Sequence, residues 1–122
     1  MKQCLAEVRE EAVEYNVAFQ KLDIDAGKKL LAEKDVIIVD IRDLNAYSAS
    51  HIENARHIND GNVQEFLRST DKAAPLLVYC YHGNSSQGAA EFFSASGFVE
   101  VYSLDGGFES WRTKYPVISP GS

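Results

Sequence analysis

The stretch Leu76-Leu77-Val78-Tyr79-Cys80-Tyr81-His82-Gly83-Asn84-Ser85-Ser86 decides the fold. It opens with a continuous apolar run, which predicts a strand buried on both faces, as in a parallel sheet. Gly83 and Asn84 tolerate a positive φ, so the chain can curl tightly after this strand. Ser85 or Ser86 can then cap a helix. A strand, a tight loop and a helix in succession are typical of an α/β fold.

The rest of the chain repeats this alternation. Further strands are predicted at 36–39, at 99–102 and, as a short addition, at 56–58. Helices are predicted from about residue 23 to 33, at 43–48, 62–69 and 86–95, and after Gly107. The crossovers are long enough for parallel pairing. We therefore expect an α/β domain at 20–116 with a central, mostly parallel sheet and helices on both faces.

Two segments flank this domain in the sequence. Residues 1–19 have the pattern of a helix, because apolar side chains recur every three or four positions with acidic residues between them. Residues 117–122 are predicted to be a short C-terminal tail. Cys4 falls in the N-terminal segment, far from Cys80 in the sequence.

Composition narrows the function classes. The chain has 12 basic and 18 acidic residues, a net charge of −6, and no basic run, which argues against a nucleic-acid partner. No apolar stretch approaches the ~18 residues of a membrane span, and no signal-peptide core precedes the domain. Cys4 and Cys80 fit the cytoplasm as free thiols. A metal site is not expected, since CxxC and helical HxxxH patterns are missing.

The loop from Cys80 to Ser86 carries the chemistry. Ligands of parallel sheets bind at the carboxyl ends of the strands, which also directs attention to 40–43 and 104–107. A curled loop turns several N–H groups inward and so forms an anion-binding nest, to which the helix N-terminus adds positive potential. A thiol in such a nest ionises below its ordinary pKa of ~8.5 and becomes a nucleophile. The alternative is a buried, inert cysteine, which the Gly-Asn-Ser-Ser run disfavours.

Four segments together resemble a known family. The loop at 77–86 is similar to the active loop of single-domain rhodaneses, the thiosulfate sulfurtransferases. Val39-Asp40-Ile41-Arg42 resembles the family's Asp-x-Arg motif, and His51-Ile52-Glu53-Asn54-Ala55 resembles its His-Ile-x-x-Ala motif. The segment 104–111 resembles the C-terminal Asp-Gly-Gly-x-x-x-Trp signature. The four segments stand in the family's order, and the resemblance covers about 20–115.

The resemblance implies a reaction. Cys80 takes the outer sulfur of thiosulfate, releases sulfite and holds a persulfide. Cyanide or a thiol, including a thiol on a protein, then removes the sulfur. No metal and no organic cofactor is needed. Asp40 and Arg42 are implied to be supporting residues that fix neighbouring loops. The substrate cradle is implied to consist of Tyr81, His82, Gly83, Asn84, Ser85 and Ser86.

One departure from many rhodaneses affects substrate binding. The loop holds no Arg or Lys, and Gln87 stands at its edge. The cradle must then rely on backbone amides and hydroxyls, with His82 as a further candidate donor, so we expect weaker binding of the thiosulfate dianion. For His82 itself, a hydrogen bond to the substrate and plain exposure are about equally expected. Tyr81 follows the nucleophile and is expected at the pocket mouth.

Other polar and aromatic residues are read mainly as structural. Arg42 is expected to form an ion pair with an acidic residue such as Asp40, Asp43 or Asp105. A buried cation needs such a partner. Four further side chains are expected to serve the fold, namely His51, His57, Phe108 and Trp111.

Three other functions compete with sulfur transfer. A cysteine-dependent phosphatase or arsenate reductase of the Cys-x5-Arg type needs an arginine that clamps the oxyanion, and residue 86 is a serine. A non-catalytic rhodanese-like binding module commonly lacks the cysteine, which is present here. A redox protein pairing Cys4 with Cys80 lacks the CxxC arrangement.

Overall fold

The computed structural model describes residues 19–119. In this part of the chain five strands form one parallel sheet in the order β1-β5-β4-β2-β3. The strands are β1 (Gln20–Leu22), β2 (Ile37–Asp40), β3 (Arg56–His57), β4 (Leu76–Tyr79) and β5 (Val101–Leu104). The helices are α1 (Ile24–Glu33), α2 (Leu44–Ala49), α3 (Val63–Ser69), α4 (Ser85–Ala95) and α5 (Gly107–Trp111). The predicted α/β fold is confirmed.

Strand β4 lies at the centre of the sheet, between β2 and β5. Val78 is in register with Val39 on one side and with Ser103 on the other. All residues of β4 are completely buried, at 0% exposure. A strand covered on both faces and paired on both edges gains most from an unbroken apolar run, which is why its sequence predicts it so clearly. Cys80 therefore follows the most completely buried strand of the sheet.

Helices cover both faces of the sheet, as predicted. Side chains alternate along β4, so Leu76 and Val78 point into one core cluster while Leu77 and Tyr79 point into the other. The first cluster contains side chains of α3 and α4, such as Phe66, Ala90 and Phe93. The second contains side chains of α1, α2 and α5, such as Leu31, Tyr47 and Trp111. Each buried aromatic or aliphatic side chain contributes roughly 1.5–3 kcal/mol to folding.

Two strands differ from the sequence-based expectation. The predicted strand at 99–102 begins two residues later, at Val101, and Val99 is 79% exposed. Gly97, at a φ of +114°, turns the chain so that Phe98 enters the core and Val99 points outward. Strand β1 was not predicted at all. It is a short, mostly exposed edge strand whose residues are held by pairing with β5.

A segment flanks the domain at each end of the sequence. The predicted helix at 1–19, with Cys4, lies outside the described residues except for Phe19. At the other end, Ile118 forms an antiparallel bridge with His51, so part of the predicted tail is attached to the domain. Helix α1 begins as predicted, with the Asp23 carboxylate accepting a hydrogen bond from the Ala26 amide. Among residues 19–119, no helix has the length and apolar character that a bilayer crossing requires.

Candidate active site

Cys80 lies immediately after β4, at the carboxyl end of the sheet, and is 4% exposed. Its Sγ accepts hydrogen bonds from the amides of Gly83 and Ser86, each at 3.2 Å. The second amide belongs to the first turn of α4, where the unpaired N–H groups of a helix lie. The sulfur therefore occupies a position at which the protein stabilises negative charge.

These contacts change the acidity of the thiol. Burial alone raises the pKa of Cys80, because it disfavours the charged form. Hydrogen bonds from the hydroxyl and amide of Ser86 and from the amides of Gly83 and His82 outweigh that effect and hold the pKa below its ordinary value. The thiolate is the nucleophilic form of cysteine. The loop thus activates a side chain that its burial would otherwise keep neutral.

The curl of the loop depends on Gly83. Its φ is +96°, and a Cβ at this position would lie 2.9 Å from the Gly106 backbone nitrogen. Any other residue would be strained and would collide with the main chain of the neighbouring turn. Asn84, by contrast, has a φ of −89°, so the predicted use of its tolerance for positive φ is wrong. The Gln87 side chain steadies the curl by donating to the Gly83 carbonyl at 2.9 Å.

The turn from β5 into α5 completes the loop. The Phe108 amide donates to the Cys80 carbonyl at 2.8 Å, and the Glu109 amide donates to the Tyr81 carbonyl at 3.0 Å. The start of α5 can come this close to the loop because residue 107 is glycine, since a Cβ there would lie 2.6 Å from the Cys80 carbonyl oxygen. The carbonyls of Cys80 and Tyr81 are thus occupied by the α5 amides, while the loop amides remain turned toward the sulfur. The sequence predicted that these segments meet at one edge of the sheet.

A buried ion pair lies beside the loop. Asp40 and Arg42 are 0% and 5% exposed, and Nη2 of Arg42 lies 2.7 Å from Oδ2 of Asp40. The same nitrogen donates to the Ser50 carbonyl at 2.6 Å, and the Tyr79 hydroxyl donates to Asp40 at 2.5 Å. Of the three acidic partners considered for Arg42, the structure selects Asp40. The pair and its hydrogen bonds join β2, β4 and the end of α2.

The pKa values of this network follow from its burial. Desolvation by itself lowers the pKa of Arg42. The hydrogen bonds and the charge interaction with Asp40 raise this pKa by more than desolvation lowers it, so the net change is upward. Burial, and then the hydrogen bond to Asp40, raise the pKa of the Tyr79 phenol far above its usual range. Arg42 therefore stays charged and Tyr79 stays neutral. Both remain hydrogen-bond donors to the Asp40 carboxylate.

Tyr81 ties the active loop to the segment after β2. Its side chain is 38% exposed, in keeping with a place at the mouth of the site. Its hydroxyl donates to Oδ2 of Asp43 at 2.5 Å, which raises the pKa of the phenol and lowers that of the carboxyl group. Oδ1 of Asp43 also accepts the Ala46 amide and so caps α2. One carboxylate thus holds both a helix and the loop.

The remaining predicted residues are either exposed around the loop or part of the packing and hydrogen bonding of the fold. The side chains of His82, Asn84 and Ser85 are exposed around the loop. His51 and His57 are bonded through ring nitrogens to the backbone carbonyls of Tyr47 and Arg42, at 2.9 and 2.6 Å. Phe108 and Trp111 are buried in the second core cluster, as expected.

Sequence reasoning missed one buried polar contact. The hydroxyl groups of Ser86 and Ser103 share a hydrogen bond at 2.7 Å, and both residues are 0% exposed. The prediction that Ser85 or Ser86 caps α4 is wrong, because Asn84 occupies the cap position and makes no side-chain cap bond. Ser86 is already helical, and its hydroxyl turns into the core instead. No motif around Ser103 indicates a polar contact, because a single serine in a short strand is compatible with many surroundings.

Comparison with known proteins agrees with this geometry. The family model for the rhodanese-like domain matches residues 23–114. Thiosulfate sulfurtransferase GlpE of Pseudomonas fluorescens is 53% identical over 93 residues, which cover 75% of this chain and 85% of that protein. The Pseudomonas putida protein of the same name is 47% identical over 98 residues, covering 80% of this chain and 89% of its own.

Solved structures show the same fold. A rhodanese-like domain protein from Staphylococcus aureus superposes with a TM-score of 0.67 at 28% identity, over 76% of this chain and 91% of its own. The rhodanese-like domain of an Anabaena protein gives a TM-score of 0.73 at 25% identity, over 81% of this chain and 78% of its own. Since the family model covers three quarters of the sequence and the loop has the predicted geometry, this chain belongs to the rhodanese-like domain family.

Proposed function

We propose that this protein is a thiosulfate sulfurtransferase that carries sulfur as a persulfide on Cys80. The observation that carries the proposal is the pair of amide hydrogen bonds to the Cys80 sulfur at the carboxyl end of the central strand. The names of relatives that are about 50% identical supply the reaction class. The lowered pKa of Cys80 supplies the nucleophile.

The first half-reaction loads the cysteine. The Cys80 thiolate attacks the outer sulfur of thiosulfate and forms a new S–S bond. The bond between the two thiosulfate sulfurs breaks, and its electron pair leaves with sulfite. A cysteine persulfide anion remains on the enzyme. No proton is needed from the protein in this step, because both the nucleophile and the leaving group are anions.

The second half-reaction removes the outer sulfur from Cys80. Cyanide or a thiolate attacks the outer sulfur of the persulfide, and the electron pair of the S–S bond returns to Cys80. The products are thiocyanate, or a persulfide of the acceptor, and the regenerated thiolate. The amides of Gly83 and Ser86 stabilise the charge when it returns to the Cys80 sulfur.

The cradle favours sulfur chemistry over phosphate chemistry. A phosphatase of this loop type clamps its substrate with a bidentate arginine, and residue 86 is a serine buried against Ser103. Arg42, the arginine beside the loop, is already bonded to Asp40 and to the Ser50 carbonyl. Binding of the thiosulfate dianion then rests on amides and hydroxyls, which predicts weak affinity.

We also propose the setting in which this enzyme works. The donor is a small anionic sulfur compound such as thiosulfate, and the acceptor is cyanide or a thiol, including a thiol on a protein. A cytoplasmic location suits the reaction, since the reducing environment there keeps a reactive cysteine unpaired. The acidic balance of the chain disfavours nucleic acid as a partner.

Intact-mass measurement after thiosulfate treatment tests the proposal. The wild-type protein should gain one sulfur atom, and addition of cyanide should remove it and yield thiocyanate. Cys80→Ser should show neither the adduct nor turnover. Arg68→Ala, which changes only an exposed ion pair on α3, should match the wild type. An unmodified wild-type protein that also makes no thiocyanate would refute the proposal, and hydrolysis of an aryl phosphate would favour the phosphatase.

A further inference from the structure

A buried pair of serines lies behind the reactive sulfur. Ser103 is on β5, in register with Val78 of the central strand, and its hydroxyl lies 2.7 Å from that of Ser86. Both serines are 0% exposed. The Ser86 amide lies 3.2 Å from the Cys80 sulfur, which brings the nucleophile and the two hydroxyls into one buried row.

The direction of the hydrogen bonds in this row follows from counting protons. Each hydroxyl donates one proton, and one of the two protons is used between the serines. If Ser86 donated to Ser103, the Ser103 proton would be buried with no other acceptor among the described residues. If Ser103 donates to Ser86, the remaining proton is that of Ser86, and the Ser86 hydroxyl is one of the groups whose hydrogen bonding lowers the pKa of Cys80, so the sulfur is an acceptor for this proton. Buried polar groups are nearly always paired, so the second arrangement is favoured.

We propose that Ser103 is a positioning residue for sulfur transfer, whose hydroxyl donates to Ser86 and thereby directs the Ser86 proton to the Cys80 sulfur. The inference rests on the proposed function, in which Cys80 acts as a thiolate. A protonated thiol accepts hydrogen bonds poorly, whereas a thiolate accepts them well. A fixed row of donors from β5 therefore favours the charged form of the nucleophile.

Removal of the Ser103 hydroxyl has a defined consequence. In Ser103→Ala, the Ser86 hydroxyl loses the donor that sets its direction, and its proton no longer points at the sulfur in every molecule. We expect the apparent pKa of Cys80 to rise by about half a unit. The thiolate fraction below that pKa, and with it the rate of alkylation, should fall about threefold. At a pH well above the pKa the alkylation rate should be unchanged.

The test measures the pKa of Cys80 directly, in the absence of thiosulfate. Iodoacetamide alkylation rates and thiolate ultraviolet absorbance are followed against pH in a Cys4→Ser background, so that Cys80 is the one thiol observed. The variants are Ser103→Ala, Ser86→Ala and the double variant. Val101→Ala is the matched control, because Val101 is buried on the same strand but belongs to the apolar cluster. It should lower stability and leave the pKa unchanged.

The double variant decides whether Ser103 acts through Ser86. Ser103→Ala should raise the pKa alone but add nothing when Ser86 is already alanine. An unchanged pKa in Ser103→Ala, or an equal rise in the Ser86→Ala background, would overturn the inference. If Ser103→Ala folds poorly, Ser103→Gly also removes the hydroxyl without adding a thiol, and Ser103→Thr retains a donor and should keep the pKa of the wild type. These readings do not depend on sulfur transfer, so failure of the wild type with thiosulfate would refute the proposed function alone.

Discussion

The guanidinium carbon of Arg42 lies 4.0 Å from the centroid of the Phe108 ring, while Nη2 of Arg42 is paired with Asp40. The ring contact joins the segment after β2 to α5, and the ion pair fixes where the guanidinium points. The Phe108 amide in turn donates to the Cys80 carbonyl. One residue of α5 therefore connects the buried charge pair to the reactive loop.

Loss of the buried pair should be severe. Arg42→Ala leaves the Asp40 carboxylate buried without its cation, and removing one partner of such a pair costs about 3–5 kcal/mol. Arg68→Ala breaks a pair with Glu65 in which both side chains are 69% exposed, and should cost less than about 1 kcal/mol. The free energy of unfolding in urea measures both. Similar losses for the two variants would contradict the role assigned to Asp40 and Arg42.

Two glycines near the loop provide a matched comparison. Gly83→Ala places a methyl group 2.9 Å from the Gly106 nitrogen at a φ of +96°, so we expect a loss of at least about 1–2 kcal/mol and of most activity. Gly88→Ala, on α4, adds a methyl group with nothing within 4 Å and should stabilise the helix by roughly 0.5–1 kcal/mol. Urea denaturation and thiocyanate formation report the two effects. Normal turnover by Gly83→Ala would show that the curl is not required.

The pH dependence of kcat/KM should reveal the activated thiol. Because hydrogen bonds hold the pKa of Cys80 below its ordinary value, activity should persist below the ~8.5 of a free cysteine and decline only as the pH falls through the lowered pKa. The free energy of unfolding depends on pH in the same direction, because the folded state favours the ionised form of Cys80. The contribution of the thiolate is complete above the unfolded pKa and is lost as the pH falls through the folded one. An activity limb at the pH of a free thiol would contradict the activation.

The Asp43 carboxylate accepts one hydrogen bond from the Tyr81 hydroxyl and one from the Ala46 amide, and two substitutions test these contacts separately. Asp43→Asn keeps an oxygen that can cap α2, but it weakens the hydrogen bond from the Tyr81 hydroxyl and removes the negative charge, both of which raise the pKa of the Tyr81 phenol. We expect Tyr81 to titrate closer to its ordinary value in this variant, with little change in Tm. Asp43→Ala removes the cap as well and should lower the Tm further. Ultraviolet titration, with Tyr81→Phe as the reference that lacks this phenol, assigns the change. An unaltered titration in Asp43→Asn would argue against the contact.

The sequence predicts the central features of this fold because they depend on local patterns. The apolar run before Cys80, the Asp23 cap of α1 and the alternation of strands with helices are all readable within a few residues. The meeting of the active loop with the Gly106-Gly107 turn follows from the rule that parallel strands end at one edge. Asp40 and Arg42 are likewise placed near the loop, because Asp40 ends strand β2 and Arg42 follows it closely.

What the sequence does not predict depends on distant partners. Strand β1 exists because β5 pairs with it, since its three residues have no strand pattern of their own. The displacement of β5 accompanies the burial of Phe98 in the core, which leaves Val99 exposed before the strand begins. Ser103 acquires a partner only when β5 and α4 pack together. In each case tertiary packing, and not the intrinsic preference of the local sequence, determines the structure.

The contact between the Cys80 carbonyl and the Phe108 amide also has a consequence during synthesis of the chain. Cys80 precedes the turn at 106–108 in the sequence, so a chain that ends before this turn lacks the amides that hold the Cys80 and Tyr81 carbonyls. We therefore expect Cys80 to reach its full reactivity only once α5 has docked against the loop.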